Sequence, residues 1–467
     1  MIVMKFGGSS LSTSDALARV AGVIAERVSR MPVVVVSAIG KTTDRLLAAV
    51  AQAADGRQGE ARRSVAALRD DLRDTAAPVL SDVPAFDTLL DRHVEDIERL
   101  LTELQAADDA ARPALTDALV SHGERISSQV MARVLRRHGL DSVHVDVRDV
   151  LVTDDRFTEA APLFGPTNDR LRALVRPLVE GGRVVVMGGF IARTADGRPS
   201  TLGRGGSDFT ASIVGAGLGV EEIQIWTDVD GIMTADPSVV PEARRVRQLS
   251  FAEASELAYF GARVLHPSTV LPAIERNIPV RVLNAMKPEV EGTLILSQCP
   301  PSGSTVKSIA SKEGITVIDI RSTRMLMAHG FLAAIFEVFD RYRTAVDVVS
   351  TSEIGVSVTI DRTDRLADIT AELRRVADVS HESGQAIVCL VGDAIRHTPG
   401  VAATVFTALE AINVRMISQG GSRTNISVVV DERDLSAAVA ALHHALFADL
   451  DTSSEPSVHS RTTACER

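Results

Sequence analysis

The sequence predicts an α/β protein in which a buried, mostly parallel sheet is followed by two small α+β units. The chain opens with a strand at 2–6, a glycine turn, a helix and a second apolar strand at 33–38, which is the element order of a parallel sheet. A mostly helical stretch at 44–137 interrupts the strands. Beyond a linker at 300–312, short strands and helices occur twice in a similar order, which indicates an internal duplication.

The composition is that of an ordinary globular protein and excludes several classes of function. At 467 residues the chain is long enough for about three domains, with 45% hydrophobic and 24% charged residues. A net charge of −11 argues against a general nucleic-acid binder. Cys299, Cys389 and Cys465 are scattered without metal-ligand spacing, and no apolar run approaches the roughly 20 residues that span a bilayer. We therefore expect a soluble cytoplasmic protein with no nucleic-acid or membrane partner.

The first strand brings a lysine to a glycine turn. Residues 2–6 (IVMKF) precede two glycines, an amphipathic helix follows at about 14–30, and 33–38 (VVVVSA) is apolar throughout, as buried parallel strands are. Ligands of such sheets bind at the carboxyl ends of the strands. Lys5 lies at such an end, where it either contacts a phosphate or is a solvated lysine at a strand edge.

The stretch 44–137 is rich in Ala, Leu, Arg and Asp and is expected to be a helical insertion. One segment within it, 121–125 (SHGER), differs from the rest. We expect Gly123 to break the helix before a new helical segment begins at Ile126. Glu124 either binds the ammonium group of a substrate or complements the helix dipole from the first turn.

Strands and helices continue to about residue 297. We expect strands at 142–147, 183–190, 222–226, 279–284 and 293–296, and helices at 168–180, 250–262 and 267–277. The strand at 183–190 contains Gly188 and Gly189, where we expect a ligand to approach. His266 is expected to be structural, because no Ser or Cys nucleophile pairs with it in the sequence and no zinc-site spacing occurs.

A glycine-rich loop at 201–208 (TLGRGGSD) is the best candidate for an anion site. We expect Ser207 to cap the helix that follows, so that free N–H groups face a ligand. Arg204 can hold a carboxylate or a phosphate through two parallel hydrogen bonds. The alternative is a tight turn before a capped helix. The stretch 227–231 (TDVDG) likewise either contacts a nucleotide or forms an Asp-Gly turn.

The C-terminal part begins after Pro, Ser and Gly residues at 300–304. We expect strands at 314–320, 346–350, 355–360, 386–392, 414–418 and 425–430, and helices at 330–342 and 401–411. Residues 450–467 contain four Ser and three Thr and are expected to form a frayed tail.

Taken together, these segments resemble aspartate kinase (aspartokinase), of the amino-acid kinase superfamily. Eight motifs run in the family's order and cover nearly the whole chain. They are KFGGSS at 5–10, VVVVSA at 33–38, SHGERISS at 121–128, TLGRGGSD at 201–208, WTDVDGI at 226–232, ELAYFGARVLHP at 256–267, GFLAAIFEVFDRYRTAVDVVSTSE at 330–353 and PGVAATVFTALEAINVRMISQGGS at 399–422.

The resemblance implies a fold and a reaction. The implied domains are an amino-acid-kinase three-layer α/β/α domain at 1–299 and two ferredoxin-like ACT domains at 313–383 and 384–449. The implied reaction is the phosphorylation of the L-aspartate β-carboxylate by ATP, with Mg²⁺, to give 4-phospho-L-aspartate, the first step of lysine, threonine and methionine synthesis. The ACT domains would bind lysine and/or threonine as feedback effector and join subunits into a homodimer or homotetramer.

The resemblance also implies roles for individual residues. Lys5 and Asp208 would be catalytic, and Ser37, Thr43, Glu124 and Arg204 would bind the substrate. The nucleotide would be bound by Lys5, Gly7, Gly8, Ser9, Gly205, Gly206, Ser207, Thr227, Asp228, Asp230, Met233 and Arg263. The effector would be bound by Met325, Gly330, Leu332, Asp347, Thr351, Ser352, Glu353, Asn413, Ile417 and Gln419. No side chain is predicted to bind the metal directly, because Mg²⁺ would be held through the ATP phosphates.

A few positions depart from the family's pattern. Met233 and Ser238 stand where Tyr and Arg are common, so a nucleotide-stacking ring and a phosphate-contacting arginine are missing or replaced, with Arg244 or Arg245 as candidates. Arg263 stands where lysine is common. Ala328 replaces a serine common in lysine-sensitive members.

Two other functions remain open from the sequence. One is another amino-acid kinase, acting for example on glutamate, N-acetylglutamate or UMP. The other is an amino-acid sensor whose kinase site has decayed. The tandem ACT units favour aspartate over other acceptors, and the presence of Lys5, Glu124, Arg204 and Asp208 argues against decay.

Overall fold

The computed structural model describes residues 1–261, 267–299, 305–322 and 329–448, which form two units. The first unit consists of residues 1–233 and 244–299, and the second of residues 234–243 and 305–448. Several predictions fall outside the described residues: the linker residues 300–304, the tail at 450–467, the nucleotide-binding residue Arg263 and the effector-binding residue Met325. No helix in the described part of the chain is both long and apolar enough to cross a membrane.

The first unit contains eleven strands within the described residues. They are β1 (Ile2–Phe6), β2 (Pro32–Val36), β3 (Ser142–His144), β4 (Val152–Thr153), β5 (Val184–Gly188), β6 (Ile191–Thr194), β7 (Pro199–Thr201), β8 (Glu222–Thr227), β9 (Gln248–Ser250), β10 (Val280–Asn284) and β11 (Thr293–Leu296). Eight of them form a sheet in the order β3-β5-β2-β1-β8-β10-β11-β9, in which only β10 and β11 pair antiparallel. A small sheet holds β4, β6 and β7. The predicted parallel α/β sheet is therefore confirmed.

The register of the central strands brings several predicted segments to one edge. Phe6, near the end of β1, pairs with Val36 on one side and Trp226 on the other. The turns that follow these three strands therefore lie side by side at the carboxyl edge of the sheet. β2 and β1 are almost completely buried, as expected for strands covered on both faces.

Helices cover this sheet and form the insertion. They are α1 (Ser14–Ala25), α2 (Thr42–Ala54), α3 (Gln58–Ala76), α4 (Val83–Ala106), α5 (Arg112–Val120), α6 (His122–Arg137), α7 (Phe164–Arg170), α8 (Arg176–Glu180), α9 (Gly206–Leu218), α10 (Phe251–Tyr259) and α11 (Leu271–Glu275). A π-helical turn, Leu171–Val175, joins α7 to α8. The insertion is α2 to α6, and its buried residues, such as Phe86 and Leu101, continue the core of the sheet.

Two expected helix boundaries are wrong. The first helix ends at Ala25 rather than near residue 30, and a separate 3₁₀ turn, Val28–Arg30, follows it. Gly123 does not break a helix but lies inside α6. A Cβ atom at Gly123 would lie 2.9 Å from the Cβ of Ala38, so glycine is present there because the helix packs closely on the turn after β2.

The second unit is a six-stranded antiparallel sheet with helices. Its elements are β12 (Val306–Arg321), α12 (Phe331–Arg341), β13 (Val349–Thr351), β14 (Gly355–Ile360), α13 (Leu366–Leu373), β15 (Asp378–Gly392), α14 (Val401–Ala408), β16 (Val414–Gln419), β17 (Asn425–Asp431) and α15 (Leu435–Phe447). The order is β13-β14-β12-β15-β17-β16. Two hydrophobic cores, one around Ile318 and Phe339 and one around Val388 and Val428, fit the two predicted α+β units.

The long strands β12 and β15 run through both halves of this sheet. Residues 306–312 pair with the second half of β15, whereas 315–321 pair with its first half and with β14. The expected linker at 300–312 is therefore too long, because 306–312 is strand and completes the second α+β unit. Register shifts at Val306/Ser308 and after Lys312 interrupt the apolar alternation that would have revealed this strand.

The segment 234–243 belongs to the second unit, although the chain before and after it belongs to the first. Ala235 and Val240 are buried in the core that also holds Val388 and Val428. Thr234 is hydrogen-bonded to His443 of α15, with 2.9 Å between the hydroxyl and Nε2. The expected first domain at 1–299 therefore lacks these ten residues.

Candidate active site

A cavity of about 300 Å³ lies in the first unit, where the turns after β1, β2 and β5 meet the start of α9. Nine of the predicted site residues line it: Lys5, Gly8, Ser37, Thr43, Glu124, Gly205, Gly206, Ser207 and Asp208. The other lining residues are Ala38, Gly40, Phe190 and Gly203. Segments far apart in the sequence therefore surround one space at the carboxyl edge of a parallel sheet, where ligands of such folds bind.

One wall of the cavity carries an ion pair. The ammonium nitrogen of Lys5, on β1, lies 2.6 Å from Oδ1 of Asp208, in the first turn of α9. Their side chains are only 12% and 15% exposed. Because the pair is close and largely shielded from water, Asp208 fixes the position of the Lys5 ammonium group at the cavity wall.

The start of α9 lies against the same cavity. Gly205, in the left-handed conformation with φ +71°, is the residue before the helix, and Gly206 begins it. The expected N-cap role of Ser207 is therefore wrong, because Ser207 is already inside the first turn. The first N–H groups of a helix have no acceptor within the helix, and the residues that carry them here line the cavity. The helix starts at the cavity without a side-chain cap, and the N–H of Gly206 donates to the carbonyl of Gly203 at 3.0 Å, so anion binding by this helix start stays a prediction.

Glu124 supplies a buried carboxylate on another wall. Its residue is 3% exposed, and Oε1 accepts a hydrogen bond of 3.2 Å from the N–H of Ala38. Oε2 is buried and has no hydrogen-bond partner among the described residues. Burial raises the pKa of Glu124 to about 8, against the lowering effect of the Ala38 hydrogen bond. An unpaired buried carboxylate of this kind is suited to an ammonium group that enters the cavity.

The glycine pair at the end of β5 explains how Glu124 reaches this position. A Cβ atom at Gly188 would lie 2.9 Å from the Cβ of Glu124, and one at Gly189 would lie 2.7 Å from the Cα of Ser207. These glycines were expected to let a ligand approach. They instead let α6 and the start of α9 pack against the strand end, and so bring two walls of the cavity together.

The predicted nucleotide residues after β8 lie at the same sheet edge but do not line this cavity. The Thr227 hydroxyl donates to Asp228 at 3.2 Å. Asp230 accepts hydrogen bonds from Asn284 and from Lys287, which lower the pKa of its carboxyl group. Gly7 also lies at this edge, because its N–H donates to the carbonyl of Trp226 at 3.3 Å.

Three other predicted ligand-binding residues of the first unit, Arg204, Ser9 and Met233, do not line the cavity. Arg204 is exposed and makes no ion pair with the part of the chain that the structure describes. Ser9 begins a 3₁₀ turn, Ser9–Leu11, beside the lining residue Gly8. Met233 forms an antiparallel bridge with Arg245. Their proposed roles in ligand binding stay predictions.

Phe190 and Gly203 are lining residues that the sequence did not single out. Phe190 has a positive φ of 66°, and its N–H donates to the hydroxyl of Thr210 at 3.0 Å. Phe190 could have been predicted only from its position as an aromatic residue directly after the glycine pair 188–189. Gly203 stood inside the predicted glycine-rich loop, but nothing in its type distinguished it from a turn residue.

In the second unit the predicted effector residue Asp347 binds a lysine of its own chain. The Lys312 ammonium lies 2.8 Å from Oδ1 of Asp347 and 2.9 Å from Asp361. Burial lowers the pKa of Lys312, but the hydrogen bonds to both carboxylates outweigh burial and raise its pKa overall. The site expected to hold an effector's ammonium group thus already holds one.

The other predicted effector residues lie mostly on the surface of the second unit. Gly330, with φ +83°, precedes α12. The exposed members are Gly330, Leu332, Thr351, Ser352, Glu353, Asn413, Ile417 and Gln419. Their roles in effector binding stay predictions.

Comparisons with known proteins agree with this architecture. Residues 1–284 match the amino acid kinase family, and residues 388–446 match the ACT domain. The lysine-sensitive aspartokinase 3 of Escherichia coli is 36% identical over 461 residues, covering 96% of this chain and 99% of that protein. The chloroplastic aspartokinase 1 of Arabidopsis thaliana is also 36% identical, covering 97% of this chain and 81% of that protein.

Solved structures show the same relationship. The crystal structure of E. coli aspartokinase III in complex with aspartate and ADP, described as the R-state, superposes with a TM-score of 0.82 at 36% identity, covering 96% of this chain and all of that one. The T-state complex of that enzyme with lysine and aspartate gives 0.81. The aspartate kinase of Clostridium acetobutylicum gives 0.80 at 26% identity, covering 96% of this chain and 100% of that one.

Proposed function

The chain belongs to the aspartokinases of the amino acid kinase family, and we propose that its cavity transfers the γ-phosphoryl group of ATP to the β-carboxylate of L-aspartate. The product is 4-phospho-L-aspartate, and the leaving group is ADP. This reaction is the entry step of lysine, threonine and methionine synthesis in the family that the chain belongs to.

The observation that carries this proposal is the pairing of two opposite features in one cavity. Glu124 offers an unpaired carboxylate for the substrate's ammonium group. Lys5 and the start of α9 offer positive charge and N–H groups for phosphate oxygens. A substrate that carries an ammonium group at one end and a carboxylate acceptor at the other spans these two features.

The chemistry requires positioning rather than proton removal. The β-carboxylate is already a nucleophile, so no general base is needed. Lys5 holds the transferring phosphoryl group by charge, and Asp208 keeps the Lys5 ammonium in place. The hydroxyls of Ser37 and Thr43 line the cavity, where they can donate to the substrate's carboxylates. Arg204 lies on the loop between the lining residues Gly203 and Gly205, and we assign it the second carboxylate of aspartate.

We assign ATP to the predicted nucleotide-binding residues, and Mg²⁺ would be held mainly by its phosphates. No group of three or more His, Cys, Asp or Glu side chains that could hold a metal occurs among the described residues. Mg²⁺ usually keeps several waters and binds phosphate oxygens, so we propose that the ATP phosphates hold it rather than a cluster of side chains. When bound, Mg²⁺ neutralises phosphate charge. Thr227 ends β8, and Asp228 and Asp230 follow it. Because β8 pairs with β1 on the side opposite β2, we assign these three residues the nucleotide.

We assign the second unit to feedback control by an amino acid. One E. coli relative is named lysine-sensitive, and one solved complex contains lysine. Lysine is therefore the first effector to test, with threonine as the second. We also propose that the ACT sheets join subunits into a homodimer or homotetramer and that the protein works in the cytoplasm.

One assay tests the reaction and its regulation together. The chain is incubated with Mg-ATP and L-aspartate, and hydroxylamine traps the acyl phosphate as a hydroxamate while ADP release is followed. We expect aspartate-dependent hydroxamate that lysine or threonine suppresses. Hydroxamate with glutamate or N-acetylglutamate, or ADP release with UMP, would assign a different acceptor. No turnover with any acceptor would refute catalysis and leave amino-acid sensing as the function.

A further inference from the structure

Asp117, on α5 of the helical insertion, is a buried carboxylate outside the cavity lining. Its residue is 1% exposed. Oδ2 accepts hydrogen bonds of 2.9 Å from the N–H groups of Thr158 and Thr201, and Oδ1 accepts one of 2.8 Å from the Thr201 hydroxyl. One side chain of the insertion therefore holds two segments that are 41 and 84 residues away in the chain.

Thr201 is the first residue of the glycine-rich loop that reaches the cavity. Its carbonyl accepts a hydrogen bond of 2.9 Å from Ala160, and the next N–H, of Leu202, donates to the carbonyl of the lining residue Phe190 at 2.9 Å. Backbone hydrogen bonds therefore hold the start of the loop at both Thr201 and Leu202. Beyond it, at 203–208, every residue except Arg204 lines the cavity.

Thr158 packs against the same loop. A Cβ atom at Gly203 would lie 3.2 Å from the Thr158 carbonyl oxygen and 3.2 Å from the Glu159 side chain. Asp117 therefore joins the segment at Thr158 to the start of the loop whose Gly203 packs against that segment. A small displacement of either segment would move the loop and the start of α9 relative to the rest of the cavity.

The retention of a charge at this buried position needs a reason. Burial raises the pKa of Asp117, which three hydrogen bonds from Thr158 and Thr201 oppose. A carboxylate is costly to bury, but it accepts hydrogen bonds at both oxygens without offering a donor. A carboxylate that only accepts is therefore suited to this position, where three donors from Thr158 and Thr201 meet. Asp117 also precedes Glu124 by seven residues, at the junction of α5 and α6.

We propose that Asp117 is a positioning residue for phosphoryl transfer, which holds the glycine-rich loop at a fixed distance from Glu124. The insertion thereby places the ammonium-binding carboxylate and the phosphate-binding loop in one frame. This role rests on the proposed aspartate kinase activity. It assigns Asp117 no contact with either substrate, so Asp117 acts through the loop that carries Arg204 and Asp208.

The test compares Asp117→Ala with Asp117→Asn in the full-length chain. Asparagine can turn its oxygen to the two N–H groups and donate its amide to the Thr201 hydroxyl, which can rotate to accept. We expect Asp117→Ala to lower kcat by on the order of 10²-fold, as misplacement by about 1 Å does. The aspartate KM should rise as well, because Arg204 lies on the same loop. Asp117→Asn should recover most of the loss in kcat.

A matched control separates positioning from loss of stability. Thr167, on α7, is also buried and accepts a hydrogen bond from a backbone N–H, that of Val152 at 3.1 Å, but it does not line the cavity. Thr167→Val should lower Tm as Asp117→Ala does and leave kcat unchanged. Equal kcat losses in the two variants, or an Asp117→Asn enzyme as slow as Asp117→Ala, would overturn the proposal.

Two further readouts keep the test decisive. If Asp117→Ala does not fold, Thr201→Val removes only the hydroxyl contact, and we expect a smaller loss, about tenfold, in kcat. Unchanged kcat in that variant would overturn the proposal. A wild-type chain that forms no hydroxamate would refute the proposed function and the positioning role with it, whereas an active wild type with an equally active Asp117→Ala would refute the positioning role alone.

Discussion

Glu124→Gln is the change that tests the proposed substrate site most directly. The pKa of Glu124 is about 8 instead of the ordinary 4.5. Its ionisation in the empty cavity therefore costs roughly 5 kcal/mol more than that of a solvent-exposed glutamate. The substrate's ammonium group favours the ionised form. Aspartate should therefore bind the fraction of enzyme in which Glu124 is charged, and kcat/KM for aspartate should rise about tenfold per pH unit between pH 6 and 7.5 and level off above pH 8.

Glutamine keeps the size of the side chain and removes this charge. Loss of one partner from a buried charge pair costs about 2–5 kcal/mol, so kcat/KM for aspartate should fall by on the order of 10²-fold or more at pH 8. The remaining activity should no longer rise with pH, because glutamine does not ionise. The measurement is hydroxamate formation at subsaturating aspartate from pH 6 to 9.

The same substitution changes stability with a defined sign. The native state keeps the Glu124 proton between pH 4.5 and 8, whereas the unfolded chain has lost it, so Glu124 lowers the wild-type unfolding free energy by about 1.4 kcal/mol for each pH unit in that window. Glu124→Gln removes this slope. The stability difference between the variant and the wild type should therefore move in favour of the variant as pH rises through the window, and stay constant above pH 8.

A second buried glutamate provides the control. Glu222, at the opposite end of β8 from Thr227, is paired with Arg30 and Arg281 at 3.3 and 3.2 Å. Glu222→Gln should leave the pH dependence of kcat/KM for aspartate unchanged. A wild-type kcat/KM that is flat from pH 6 to 8, or a Glu124→Gln variant with wild-type kinetics, would refute the assignment of Glu124 to the ammonium group.

The remaining predictions concern the second carboxylate of the substrate and the effector site. Arg204→Ala should raise the aspartate KM and lower kcat/KM by on the order of 10²-fold, because Lys5 is the only cation lining the described cavity and Asp208 already pairs with it; near-wild-type kinetics would contradict this. Asp347→Ala should abolish inhibition by the effector and preserve basal activity, and unchanged inhibition would place the effector elsewhere. Lys312→Met should lower Tm, because the buried carboxylate of Asp347 loses this cation. Added lysine should then raise the Tm of the variant by more than it raises the Tm of the wild type. An equal rise in both proteins would show that Lys312 does not compete with the added lysine for Asp347.

The succession of strands could largely be predicted from the sequence, because apolar runs and glycine turns are local signals, whereas cavity residues such as Ser37 and Thr43 were predicted only through the resemblance to aspartate kinase. The strand at 306–312 could not, since register shifts interrupt its alternation and its partner, β15, lies far along the chain. The membership of 234–243 in the second unit also depends on contacts with distant residues such as His443. Residue types alone did not reveal that Lys312 holds Asp347.

The helical insertion shows why part of the site escapes a reading of local motifs. Glu124 accepts from Ala38, which is 86 residues away, and Asp117 accepts from Thr201, which is 84 residues away. Neither hydrogen bond could be predicted from the sequence, because the sequence does not show which distant N–H group a buried helical carboxylate will meet. Both carboxylates lie within seven residues at the junction of α5 and α6, so the docking of one helical segment fixes the ammonium site and the phosphate loop at once. The insertion is therefore a structural part of the active site, since without it the cavity loses the wall that carries Glu124 and the anchor of the loop that carries Asp208.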